Sequence, residues 1–582
     1  MKLRIYIFGF LLLLAMPVCG GFALEGQIHL IEDGRTDYRI IVEPSAASIE
    51  MFAARELQGY VMQVSGVFLP LDRQAAPTTG KRIIVGSGAI DSLGLEVNRN
   101  YLGRDGFLIR TIGDRLILSG GRPRGTLYGV YTFLQMLGCR WLAPGILGEV
   151  IPQSLEIAID QIDLLERPDL KYRGFTSLIT TNGEGAQWLD WMGKNRMNYV
   201  MIPLSNYADF KRILGGEVRK RDMDLCVIFD DITSENESKL ADRVLKFISK
   251  NREVGIVVLQ IPEADSPDSQ CAESAAEAAN MVRDQFPGKS ISLLTTGGEN
   301  ISDGNFLPYF DLANRCYRHS LSDEKCEINA KIKGHLEEQL KSHQRVHVYE
   351  HYMGSYSQNS LPFPVLHAIA SDIKYFHESA ALEGVVSQCE VGNWGTYGLN
   401  YYLFARMAWN ADDNLDDVVS DYCDKYYGSA GEPMKKYFTR LEDATAGMEH
   451  LSYIDPPHLI LELLDEKSLT DLEMELYSAV DLAKDAMDFD RIRKTQLSLQ
   501  HANLLWHTLN YYFKALQFQE AESNEEAMGY FQKAAEAGEE TITFLFKNVD
   551  EGVFIIPESY IFEYLEPLIL DARVRKDQIE SQ

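Results

Sequence analysis

The stretch RVHVYEHY, residues 345–352, decides how the fold is read. Val346 and Val348 alternate with polar positions, which is the period of a β-strand. The run then delivers Glu350 among Tyr349, His351 and Tyr352. A solvated strand end would look similar. A parallel barrel, however, keeps its chemistry at the C-terminal ends of its strands, and a carboxylate ringed by aromatic and imidazole groups suits that position.

Outward from this run, strand-like segments recur with helical or loop segments between them. They are KYRGFTS (171–177), MNYVMIPL (197–204), LCVIFD (225–230), VGIVVLQI (254–261), SISLLTTG (290–297), RCYRHSL (315–321), RVHVYEHY and LEGVVSQCE (382–390). The helical stretches 272–286 and 328–343 fall between strands. Eight alternating units predict a (β/α)8 barrel over 166–398, entered through the linker Glu166-Arg167-Pro168-Asp169. The run 315–321 has the poorest strand pattern of the eight.

Upstream, residues 24–165 read as a small α/β accessory domain. It has strands at 38–44 and 81–88, a hairpin at 106–121 turning at Ile112-Gly113-Asp114, and helices at 48–66 and 124–138. Gly120, Gly121 and Gly125 have the wrong spacing for a phosphate loop, and no P-loop lysine follows. Downstream, residues 399–582 carry helical periodicity, clearest at 471–487 and 524–546, with almost no strand signal. The second of these hints at a tetratricopeptide repeat, but one copy is no array. The predicted class is therefore α/β: accessory domain, barrel and helical C-terminal region.

The 582 residues are too many for one core. A net charge of −29 repels phosphate backbones and argues against nucleic-acid partners. Residues 1–23 have a basic start (Lys2, Arg4), an apolar run from Ile5 to Met16 and small residues after it, the grammar of a secretory signal. The expectation is an exported protein with no transmembrane segment. Cys19 sits in a poor lipoprotein motif, behind Pro17 and Val18. Seven cysteines remain beyond the leader, and Cys316 with Cys326 is the one pair worth testing as a disulfide. No Cys or His cluster shows ligand spacing, so neither metal nor cofactor is expected.

Two resemblances add to this reading. The string GGRPRGTLYGVYTFLQMLGCRWLAPG (120–145) resembles the accessory domain that precedes the barrel in α-glucuronidases and some β-hexosaminidases. The rest resembles a bacterial family catalogued as domain of unknown function 4838. That match rests on the acidic turn after the fourth strand, the Tyr-Glu-x-Tyr strand, and NYYLFARMAWNADDNLDDVVSDYCDKYYG (400–428). The resemblance implies a glycoside hydrolase, with endo-β-N-acetylglucosaminidases acting on N-glycans among the relatives. Relatives often carry paired cysteines after the acidic turn, whereas here Cys271 stands alone and Ser274 follows.

Glycosidic cleavage uses two carboxyl groups flanking the bond. Glu350 is the expected acid of strand seven, and Glu263 or Asp265, in QIPEADSPD, that of strand four. The resemblance favours Asp265, and closeness to the strand end favours Glu263. Arg173, Asp230, His351, Tyr352, Glu390, Asn393, Trp394 and Tyr397 are the expected substrate-binding residues, the aromatic ones as platforms for pyranose faces. Trp188, Trp191 and Trp409 read as core. A substrate with an N-acetyl group can supply its own amide as nucleophile. The alternatives are an α-glucuronidase-like exo-hydrolase, with Arg173 or Arg196 binding the uronate, and a glycan-binding barrel without catalysis.

Overall fold

The structure is a computed structural model that describes residues 26–176, 184–232, 239–260, 270–296, 306–354, 359–389 and 392–581. The leader, the acidic turn carrying Glu263 and Asp265, and Glu390 lie outside the described residues.

Eight parallel strands close a barrel in sequence order. They are Tyr172–Thr176, Tyr199–Pro203, Asp224–Phe229, Val254–Gln260, Ser290–Thr296, Leu307–Asp311, Val346–Glu350 and Leu382–Gln388. Seven of them fall on the predicted runs. The sixth does not: it is LPYFD, upstream of 315–321. Pro308 has no N–H to give a ladder, which hides a strand from pattern reading. Yet the segment pairs with both neighbours, Leu294 beside Tyr309 and Tyr309 beside His347. The 315–321 stretch is a loop. Asn329, buried in the first turn of the helix Glu327–Ser342, fastens it by accepting from the Cys316 N–H and donating to the carbonyls of Cys316, His319 and Ser320.

The accessory domain is a six-stranded mixed sheet. The helices Ser48–Ser65 and Pro123–Met136 pack against each other beside it. Its glycines serve close packing: a Cβ on Gly125 would stand 2.2 Å from the Gly106 carbonyl. The domain grips the N-terminal end of the barrel through buried charge. Asp105 binds Arg124 at 2.6 Å and Arg173 at 2.7 Å, and Arg124 reaches Asp224, at the start of the third strand, at 2.9 Å. Trp409, from the helix Trp394–Trp409, stacks on Phe107 with centroids 5.8 Å apart, and the Arg173 guanidinium of the first barrel strand lies 5.2 Å from the Trp409 ring, so one ring joins all three regions.

The described residues of the C-terminal region form helices and no strand. The predicted helix at 471–487 is two helices: Glu466–Leu482 ends, and Asp485 caps the 35-residue helix Ala486–Glu520 by accepting from the N–H groups of Met487 and Asp488. No helix among the described residues is long and apolar enough to cross a membrane.

Candidate active site at the barrel mouth

Successive side chains on a strand point to opposite faces, so parity decides which groups enter the lumen. The interior is packed by Met201, Cys226, Ile228, Ile256, Val258, Leu307, Tyr309 and Val386, with Tyr172 and Tyr349 against them. One further step along the same faces puts Thr176, Asp230, Gln260, Asp311 and Gln388 at the C-terminal mouth. His351 joins them just past the seventh strand.

Asp311 ends the sixth strand. Its Oδ1 accepts the Ala313 N–H at 2.9 Å and lies 2.7 Å from His351 Nε2. His351 Nδ1 lies 3.0 Å from Gln388 Oε1. Tyr453, from the helical region, lies flat on the imidazole with centroids 4.0 Å apart and planes 24° from parallel. Three barrel strands and the C-terminal region therefore converge on one acid–imidazole–amide chain. Burial, reinforced by Asp311, pushes the Tyr349 phenol well above its usual pKa, so it enters as a neutral group. Asp230, exposed at the third strand end, accepts from Ser205 Oγ at 3.3 Å.

Glu350 has the other parity. It shares the outward face with Val346 and Val348, and it is fully buried. Its Oε1 is 2.9 Å from Arg315, and its Oε2 accepts from the Tyr317 hydroxyl at 2.8 Å and the His351 N–H at 3.2 Å. Arg315 also binds Asp372, on the helix Leu366–Glu378, at 2.5 Å. Burial drives the Glu350 pKa up, Arg315 opposes the rise, and Asp372 adds to it. This corrects the placement of Glu350 in the mouth: the residue is at the right height but faces the outer helices.

Several other expected binding residues are also buried elsewhere. Arg173 is spent on Asp105 and on the carbonyls of Leu170 and Arg196. Arg196 bonds Thr132 and Gln135, and burial lowers its pKa to about 10. Neither arginine faces the mouth, so neither supplies a uronate pocket. Tyr352 is fully buried, its hydroxyl 3.4 Å from Asp372. Asn393 accepts from Tyr401, and Tyr397 donates to the Leu361 carbonyl. Trp394 stacks on Tyr401 and meets Trp188 and Trp191 edge-on, so these three tryptophans form a core cluster and Trp394 is no sugar platform. Of the expected residues that are described, His351 and Asp230 stand at the mouth. Asp311, Gln388 and Tyr453 are the additions.

An α/β accessory domain, a closed parallel barrel with polar groups at its C-terminal mouth, and a helical tail make up an architecture that glycoside hydrolases use. Residues 34–133 match the glycosyl hydrolase family 67 N-terminus, and residues 314–439 match the domain of unknown function 4838. The fold is similar to that of a GH138 enzyme targeting pectin rhamnogalacturonan II, with 12% identity, a TM-score of 0.60, and 94% of this chain and 80% of that one covered. It is similar to a GH115 4-O-methyl-α-glucuronidase with specificity for decorated arabinogalactans, at 12% identity and TM-score 0.60, covering 91% and 79%. It is also similar to a family 89 glycoside hydrolase from Clostridium perfringens, at 11% identity and TM-score 0.56, covering 93% and 76%. No curated protein matches the chain. The shared fold and the family 67 N-terminal match support a glycoside hydrolase.

Proposed function

We propose that the protein is an exported glycoside hydrolase acting on complex glycans that contain N-acetylglucosamine. The observation that carries the reading is the Asp311–His351–Gln388 chain at the mouth of a closed parallel barrel. The basic-then-apolar leader supports export, and the resemblance to the 4838 family supports the sugar.

In this reading Glu263 or Asp265, after the fourth strand, protonates the glycosidic oxygen as its bond to C1 breaks. Asp311 is the fixed carboxylate on the opposite side. Strands four and six are separated by one strand, roughly 10 Å axis to axis. With an N-acetyl sugar, the substrate's carbonyl oxygen attacks C1 and Asp311 accepts the amide N–H, which gains positive charge as the bond forms. With other sugars, Asp311 attacks C1 itself or takes a proton from the attacking water. His351, pinned by Gln388 and Tyr453, holds Asp311 in place.

The test is product release from a panel of high-mannose and complex N-glycans, chitooligosaccharides and glucuronoxylan fragments, with Asp311→Asn run beside the parent. Release from the N-acetylglucosamine-containing substrates, lost in the variant, is expected. Release from glucuronoxylan alone would replace the proposed substrate class. Tight glycan binding without release would sink the hydrolase reading.

A further inference from the structure

The barrel is joined to the helical region by more than packing. The loop after the sixth strand carries Cys316 and His319, Cys326 immediately precedes the helix Glu327–Ser342, and His450 comes from the C-terminal region. One ligand atom from each of the four lies within 4.8 Å of every other. Cys316 Sγ is 3.4 Å from His319 Nδ1. Tetrahedral zinc, with bonds of about 2.3 Å to sulfur and 2.0–2.1 Å to nitrogen, holds its ligands roughly 3.3–3.8 Å apart, so no pair has to close by more than about 1.5 Å.

From these four side chains we infer a structural zinc site formed by Cys316, His319, Cys326 and His450. Two soft sulfurs with two imidazoles suit Zn²⁺ and not a hard, oxygen-preferring cation. Four protein ligands complete the tetrahedron, leaving no open position for a reacting water, so the role is structural. Binding converts both thiols to thiolates and releases their protons to solvent. Both cysteines are buried and are free thiols. The supporting shell is already built: Asn329, itself fully buried, holds the backbone on both sides of Cys316 and His319. Sequence spacing hid the site because the fourth ligand comes from another region of the fold.

The site has a job. The Tyr317 N–H donates to the Leu451 carbonyl at 2.6 Å, so the same seam continues past His450 toward Tyr453. Arg315 and Tyr317, on the zinc loop, hold Glu350, while Tyr453 covers His351. Zinc would clamp the wall of the mouth contributed by the helical region.

The experiment is elemental analysis of the full chain, purified with thiols reduced, equilibrated with zinc and freed of excess metal. It is followed by cobalt substitution and an absorption spectrum. About one equivalent of zinc is expected, with intense tetrahedral cobalt bands and sulfur-to-cobalt charge transfer. Cys326→Ser and His450→Ala should each lose most of the bound metal, and Cys423→Ser should keep it. His450 is exposed, so its variant keeps the test alive if the cysteine variant fails to fold. Wild-type protein with no zinc above background would overturn the inference. So would an unaltered cobalt spectrum in His450→Ala or, in protein purified without reductant, a chain lighter by two hydrogens with Cys316 joined to Cys326.

Discussion

Asp311 and Glu350 end neighbouring strands of one barrel, and Asp311 pairs in register with Tyr349, so the two acids stand at almost the same height. Their surroundings are opposite. Asp311 is 11% exposed at the lumen's mouth with an imidazole at 2.7 Å. Glu350 is sealed against the outer helices by Arg315, Tyr317 and the His351 N–H. Both arrangements are polar and both look functional when viewed as residue lists. The difference is one step of strand parity: the inward acid can meet a ligand, and the outward acid organises the groups that hold the inward one. His351 links them, its backbone N–H on Glu350 and its ring on Asp311.

The largest expected effect separates the two directly. Asp311→Asn keeps the shape and removes the charge, and should lower kcat by about 10²–10⁴-fold with little change in melting temperature. Glu350→Gln should leave kcat within about tenfold while lowering stability by roughly 1–3 kcal/mol, the range for an impaired buried hydrogen-bond network. Parallel kinetics and calorimetry check both. The reverse pattern, with activity lost only in Glu350→Gln, would break the comparison and return the chemistry to the seventh strand.

Next in size is the shared cation. Arg315→Met strands two buried carboxylates, Glu350 and Asp372, and should cost about 3–5 kcal/mol in chemical denaturation. The double variant Arg315→Met with Glu350→Gln should recover part of that loss. A double variant no better than Arg315→Met alone would mean that Glu350 is not held as an ion.

Much of this is legible in the sequence. Most of the seven matched barrel strands announce themselves by apolar runs rich in β-branched residues, and the accessory domain by its helix and hairpin patterns. The sixth strand was not legible, because LPYFD is short and holds a proline. Missing it also cost Asp311, its last residue. Parity at Glu350 was obscured for a different reason: Val346 and Val348 look like an inward face, but a parallel barrel buries both faces of each strand, so apolar alternation does not say which side is the lumen. Trp394 and Tyr397 failed as platforms because aromatic side chains near a strand end serve a core as readily as a sugar. Tyr453 carries no local signal at all, since only the docking of the helical region brings it to His351.

The lumen below the mouth allows a third test, against the helical region. His347 lies inside the barrel among Tyr172, Tyr199 and Tyr309, and burial lowers its pKa from 6.5 to about 3. His501, in the helical bundle near Tyr560, is lowered to about 3 by burial as well. Each stays neutral when folded and gains a proton on unfolding below 6.5. Stability contributed this way is complete above pH 6.5 and falls as pH drops toward 3, by up to about 1.4 kcal/mol per pH unit for each group. His347→Leu and His501→Leu should each flatten the stability curve between pH 6 and 4 by roughly that slope. A curve unchanged in His347→Leu but flattened in His501→Leu would show that the lumen, unlike the bundle, accommodates an imidazolium.

The smallest effect probes the hinge of the comparison, the ring that covers His351. A stacked aromatic pair is worth about 0.5–1.5 kcal/mol beyond its buried area, so Tyr453→Ala should lower kcat/KM by roughly 2- to 12-fold. Tyr453→Phe keeps the ring and should retain most of the activity. The loss should appear in kcat rather than KM, because Tyr453 lies on the imidazole that holds Asp311, so removing it loosens the carboxylate. A loss confined to KM would make Tyr453 a wall of the glycan site. The helical region would then contribute directly to substrate recognition, and the inward acid would owe its position to the barrel alone.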